Sequence, residues 1–176
     1  MTAQLIQPIE LLAAAQSAAE SDGADDAQLR RAVSTAYYAL FHELVSRATR
    51  ELWDTPATDR RRIKASRWFA HGDLMTLAAA VSGSAQGSVQ KSIASVLGQP
   101  SPELITLANI FTFLQGERNE ADYNHDYEAN QSAALVAVER ARIALELMQL
   151  MDAVGDESFR LFLKLMVGAV KIAKNR

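Results

Sequence analysis

The chain has 176 residues, no cysteine and a formal net charge of −3, with 49% of its residues apolar and 22% charged. That length fits one domain or one domain with an appendage, and the apolar fraction is enough for a sizeable core. Disulfides, thiolate metal sites and a cysteine nucleophile are excluded, and with no overall basic field a nucleic-acid partner would have to find a local patch.

The start, MTAQLIQPIELL, lacks a basic leader and Glu10 interrupts its apolar run, so no signal peptide is expected. No apolar stretch reaches the ~18 residues that a membrane span needs, and a soluble cytoplasmic protein with no membrane partner is the expectation. PIELLAAAQSAAES predicts a first helix over 8–21, with Pro8 in its opening turn. Asp25 or Asp26 can cap the next helix by accepting its free backbone N–H groups. From there to Trp53, Leu29, Val33, Ala36, Tyr37, Leu40, Leu44 and Ala48 recur at three- and four-residue steps, the mark of a long amphipathic helix over 27–53.

DTPATD breaks that helix, and a basic segment with one or two short helices follows. The stretch 82–101 is weakly patterned and reads as a connection of uncertain helix content. Ser101-Pro102-Glu103 is a strong start signal, joining a capping hydroxyl, a first-turn proline and an acid at the positive dipole end. The helix it opens, 102–123, carries Leu104, Leu107, Ile110, Phe111 and Leu114. Asn130 or Ser132 starts a third long helix to Val154; Gly155 ends it, and Asp156 caps a last helix over 157–174. The fold class is therefore all-α. Helices 8–21, 27–53, 102–123 and 131–154 are long enough to form an antiparallel four-helix bundle. In that layout residues 1–154 hold the bundle, 54–100 form an insertion between its second and third helices, and 155–176 add a C-terminal helix.

Two segments carry candidate chemistry. RNEADYNHDY (118–127) places Arg118 and His125 seven residues apart, so a helix continuing through it would aim both from nearly one face. Asp122 lies between them, which also allows an ordinary surface ion pair with Arg118. Arginine can fork two N–H donors onto a phosphate, and histidine titrates near neutrality; together they suffice for metal-free RNA cleavage. The second segment is basic: Arg60, Arg61, Arg62, Lys64 and Arg67, followed by Trp68-Phe69. A solvated helix face explains it, and so does RNA contact, with cations for phosphates and an aromatic ring for base stacking. The three histidines, His42, His71 and His125, lack metal-ligand spacing, so neither a metal nor another cofactor is expected.

RRAVSTAYYALFHEL (30–44), with RNEADYNHDY on a later helix, resembles the HEPN superfamily of small helical-bundle proteins. Its hallmark is an arginine followed by a polar residue and then, after four to six residues, a histidine; Arg118, Asn119 and His125 match it at the upper end of that spacing. The resemblance spans roughly residues 8–151, with 54–100 as a variable insert. It implies a metal-independent endoribonuclease, a toxin or defence component, acting as a homodimer whose two copies complete one composite site. Arg118 would stabilise the phosphate, His125 would transfer the proton, and Asn119 would orient them. The ending His125-Asp126-Tyr127 is similar to that of HEPN toxins paired with a nucleotidyltransferase, which makes Tyr127 a modification target by resemblance. The alternative is a non-catalytic subunit that binds a nucleotide or a partner protein such as a nucleotidyltransferase.

Overall fold

A computed structural model describes residues 5–84 and 86–175; Met1 to Gln4, where the leader reading falls, lie outside the described residues. Among the described residues the chain is all-helical, with no strand. The helices are α1 (Pro8–Ala19), α2 (Asp26–Trp53), α3 (Arg60–Ala65), α4 (His71–Val81), α5 (Ser88–Leu97), α6 (Pro102–Tyr123), α7 (Gln131–Val154), α8 (Glu157–Met166) and α9 (Ala169–Lys174). A 3-10 turn, Ser66–Trp68, follows α3. Among the described residues no helix is long and apolar enough to cross a membrane.

The helix boundaries follow side-chain capping. Asp25 Oδ1 accepts from the Gln28 N–H at 2.8 Å while Gln28 Oε1 accepts from the Asp25 N–H at 3.0 Å, a reciprocal box that opens α2. Ser101 Oγ accepts from the Leu104 N–H at 3.2 Å, Asn130 Oδ1 from Ala133 at 2.9 Å, and Asp156 Oδ1 from Phe159 at 2.9 Å. Gly155, at φ 67°, sits in the left-handed region that lets α7 stop and α8 begin.

The pattern departs from expectation in two places. Residues 82–101 contain α5, whose Ile93 and Leu97 are buried, because apolar residues one helical turn apart give even a glycine-flanked segment a packing face. The single helix expected over 157–174 is two, α8 and α9. Val167 and Gly168 donate instead to Lys164 and Leu165 (3.3 and 3.4 Å), and glycine at that point is a poor helix former.

The chain divides into two compact units, and α2, α6 and α7 contribute residues to both. One unit comprises Gln7–Glu43 and Ile110–Glu146. Its core is built from Leu12, Ala15 and Ala19 of α1, Val33, Ala36, Tyr37 and Leu40 of α2, Phe111 and Leu114 of α6, and a run of small residues on α7, Ala134, Ala137, Ala141 and Ala144. Tyr37 and Phe111 meet with ring centroids 5.7 Å apart. The other unit comprises Leu44–Asn109 and the described residues before Gln7 and after Glu146. There α4, α5, α8 and α9 bury Leu74, Leu77, Phe159, Phe162, Leu163 and Val170. The guanidinium of Arg47, itself buried, donates to the Met148 carbonyl at 3.0 Å and pairs with Asp152.

Candidate functional site

In the unit of Gln7–Glu43 and Ile110–Glu146, four residues of α2 stand at steps of four: Arg30, Ser34, Tyr38 and His42. That spacing stacks them along one face. Arg30, Ser34 and Tyr38 meet the polar end of α6 and the turn after it.

Arg118 is at the centre. Its Nη2 donates to the Tyr38 hydroxyl at 2.8 Å and the Tyr123 hydroxyl at 3.2 Å, and its Nη1 to Asn119 Oδ1 at 3.2 Å. Its Nε lies 2.6 Å from Asp122 Oδ2, close enough for an ion pair but not aligned as a hydrogen bond. The guanidinium carbon stands over three rings, 5.1 Å from the centroid of Tyr123, 5.5 Å from Tyr38 and 6.0 Å from Tyr37. This is an aromatic cage for a cation. The Arg118 side chain is only 13% exposed. Burial alone works against its charge, but the Tyr38 hydroxyl and the negative charge of Asp122 outweigh it, so the proton is held more firmly than usual. Burial has the opposite consequence for the neighbouring Tyr37 phenol, whose pKa is pushed up.

Asp122 is held from both sides, since its second oxygen accepts from the Ser34 hydroxyl. Beyond it, Arg30 closes the helix. The Arg30 Nη1 donates to the carbonyls of Ala121 (3.2 Å) and Asn124 (2.9 Å), its Nη2 donates to the Tyr127 carbonyl, and its Nε pairs with Asp26 at 2.6 Å. Arginine at a helix C-terminus satisfies the carbonyls that the helix leaves open and matches the dipole. Asp26 also accepts from the Ala129 N–H at 2.8 Å; that bond first, and Arg30 second, hold its carboxyl below the usual range.

The helix therefore stops at Tyr123, so the condition for Arg118 and His125 to share a helical face is not met. Asn124 causes the break: its Oδ1 accepts from the Asp126 N–H at 2.9 Å and its carbonyl from the Tyr127 N–H at 3.3 Å, which turns the chain. His125 lies in that turn, exposed, and none of the contacts of Arg118 is to it. Arg118 and Asn119 are brought together; His125 is not. Tyr127 folds back half-buried, its ring 5.4 Å from the Arg30 guanidinium and its hydroxyl donating to Glu117 at 3.3 Å. Burial first, and then the Glu117 charge, push the Tyr127 phenol up.

Beside the cage is a cleft of about 450 Å³ lined by Arg30, Arg31, Ser34, Thr35, Tyr38, Ala121 and Asp122. Arg30 and Asp122 are engaged, whereas Arg31 is exposed and makes no ion pair among the described residues. An exposed cation lining the cleft, with the 67%-exposed Tyr123 near Arg118, can take an anionic group and a flat ring. Among the described residues no group of three or more His, Asp or Glu side chains is placed to hold a metal ion.

The basic segment belongs to the other unit. Arg60, Lys64 and Arg67 are exposed, Arg61 turns back onto Asp59 at 2.8 Å, and Arg62 is buried at 4% exposure. Arg62 donates to Thr49 Oγ1 (3.3 Å), to the Ser46 carbonyl (2.7 Å) and hydroxyl (3.3 Å), and to the Thr55 carbonyl. It braces the 54–59 loop and is withdrawn from any surface contact.

The roles of Arg30, Ser34 and Tyr38 were missed in the sequence reading. The four-residue spacing was their signal, masked because Tyr37 and Leu40, interleaved with them, read as a plain core stripe. No protein-family model, curated protein or solved structure matches the chain.

Proposed function

We propose that this chain is a HEPN-type four-helix bundle with 54–100 inserted, and that it acts as a non-catalytic binding subunit. Its ligand is an anion with a flat ring, of which a nucleotide is the natural example, taken in the cleft beside Arg118. A nucleotidyltransferase is the partner that the resemblance offers. One observation carries this reading: the Arg118 guanidinium donates to Tyr38, Tyr123 and Asn119 and pairs in charge with Asp122, so it stiffens the cleft wall instead of receiving a phosphate. Arg31 is the cation left to meet the ligand.

Titration of ATP into EDTA-treated protein tests it. Binding is expected, with Arg31→Ala weakening it roughly tenfold, the size of one lost charge-assisted hydrogen bond. Equal affinity in the variant, or no binding by the wild type, overturns it.

The second reading, a metal-independent endoribonuclease acting as a homodimeric toxin or defence component, is favoured by the exposed His125 imidazole, which is free to approach a second copy. Labelled RNA cleaved in EDTA by wild type and left intact by His125→Ala, with the dimer preserved, would establish that reading and displace the first.

A further inference from the structure

In the unit that contains α3, charge is segregated on one stretch. Arg60, Lys64 and Arg67 are exposed, and among the described residues none of them makes an ion pair. Spacings of four and three bring them to one side of α3 and the 3-10 turn after it. Two nearby acids are already used: Asp59 Oδ1 caps α3 through the Arg61 N–H at 2.7 Å and Asp59 Oδ2 pairs with the Arg61 side chain, while Asp73 is held by Lys174 at 3.4 Å. Exposed Lys171 adds a further cation, its Nζ donating to the Trp68 carbonyl at 3.4 Å. A chain of net charge −3 thus leaves several cations without counter-charge in one place.

Trp68 stands among them, 53% exposed. Its ring meets Trp53 edge-on, centroids 6.3 Å apart and planes at 62°. An edge contact props the indole and leaves ring area to solvent, which is a stacking platform and not a core residue. Cations flanking an exposed, braced aromatic ring match the chemistry of an unpaired nucleotide strand: phosphates for the cations, a base for the ring. A duplex hides its base faces. A helix of six residues is too short to lie along a lipid surface as an amphipathic anchor.

We infer that Arg60, Lys64, Arg67 and Trp68 form a contact surface for single-stranded RNA, independent of the cleft beside Arg118. The probe is a short fluorescent oligouridylate, followed by anisotropy at low and then raised salt. Wild type binds, and weakens steeply with salt. The triple variant Arg60→Ala/Lys64→Ala/Arg67→Ala binds at least tenfold more weakly, and its slope of log affinity against log salt is shallower by about 2, at ~0.7 per lost phosphate contact. Trp68→Ala loses roughly tenfold in affinity and keeps its slope, because stacking is not a counterion effect. In a Trp53→Phe background, RNA quenches the remaining indole fluorescence.

The substituted side chains are exposed, so circular dichroism melts matching wild type are expected; should the triple variant melt early, Arg60→Glu/Lys64→Glu takes its place. No anisotropy change with wild type at low salt, variants binding like wild type, or patch-dependent binding to phosphatidylserine vesicles with none to RNA would each overturn the inference. ATP binding at the Arg118 cleft is unchanged in every patch variant, so failure here and failure of the cleft reading are told apart.

Discussion

Segments 118–127 and 60–68 are built from the same materials, arginines beside aromatic rings, and the structure uses them in opposite ways. In the first, Arg118 is walled in by Tyr38, Tyr123 and Asp122, and across from it Arg30 is consumed by three carbonyls and Asp26. In the second, Arg62 alone turns inward, Arg61 closes on Asp59, and Arg60, Lys64 and Arg67 stay in solvent. The difference lies in what stands opposite. The Tyr38 hydroxyl of α2, with Asp122 and Tyr123 of its own helix, meets Arg118, whereas the exposed side of α3 meets water. An arginine-rich motif is therefore a site only where the fold leaves its donors unspent.

The sharpest way to break this contrast is Arg62→Ala. The change leaves the part-buried carbonyls of Ser46 and Thr55 without their donor. A loss of about 3 kcal/mol in urea unfolding is expected. If Arg62 were a surface cation like Arg60, the loss would stay below about 0.5 kcal/mol. Next in size is Arg118→Lys. Lysine keeps the charge but cannot fork between two tyrosine hydroxyls and Asp122, and a loss of about 2 kcal/mol is expected. An Arg118 that served only to receive a phosphate would tolerate lysine with unchanged stability, so the same urea titration separates a cage from a clamp.

How much of this was legible in the sequence depended on the range of the interaction. Helix starts were readable because they rest on contacts within a few residues: Asp25 to Gln28, Ser101 to Leu104, Asp156 to Phe159. Periodicity revealed α2, since burial every three or four residues leaves a pattern in the chain. The end of α6 was less readable. Asn124 supplies a local turn signal, but the helix is closed by Arg30, 94 residues away in sequence from Asn124, and no window of sequence contains both. The same holds for Arg118: its local ion pair with Asp122 was foreseeable from the i,i+4 spacing, and its bond to Tyr38 was not. Burial of Arg62 within a run of three arginines also needs the loop at 54–59 to be in place before it makes sense.

Acid titration sharpens the account of the helix end. The Asp26 carboxyl is held below its ordinary range by the Ala129 N–H and Arg30, so it is depressed in the folded protein relative to the unfolded one. Its contribution is present above the ordinary value of 3.8 and is lost as pH falls through the lower folded value. The stability gap between wild type and Asp26→Asn is thus expected to be level from neutral pH down to about 3.8 and to shrink between there and the lower folded value. A gap that grew on acidification would mean that Asp26 is not paired as described.

The smallest effect expected, and the most discriminating for its size, is that of His125→Ala. The side chain is exposed in the turn after α6, and the turn itself is held by Asn124 and by the Arg30 contacts to backbone carbonyls, none of which involves the imidazole. Stability is expected to change by less than about 0.5 kcal/mol, and the helix end to stay intact by amide hydrogen exchange at Asn124 and Tyr127. Asn124→Ala, one residue earlier, removes the acceptor for the Asp126 N–H and speeds exchange there. A histidine that can be deleted without structural consequence has its role, if any, outside the fold; one whose loss unravels the turn would instead belong with Arg118 to a single closed cage.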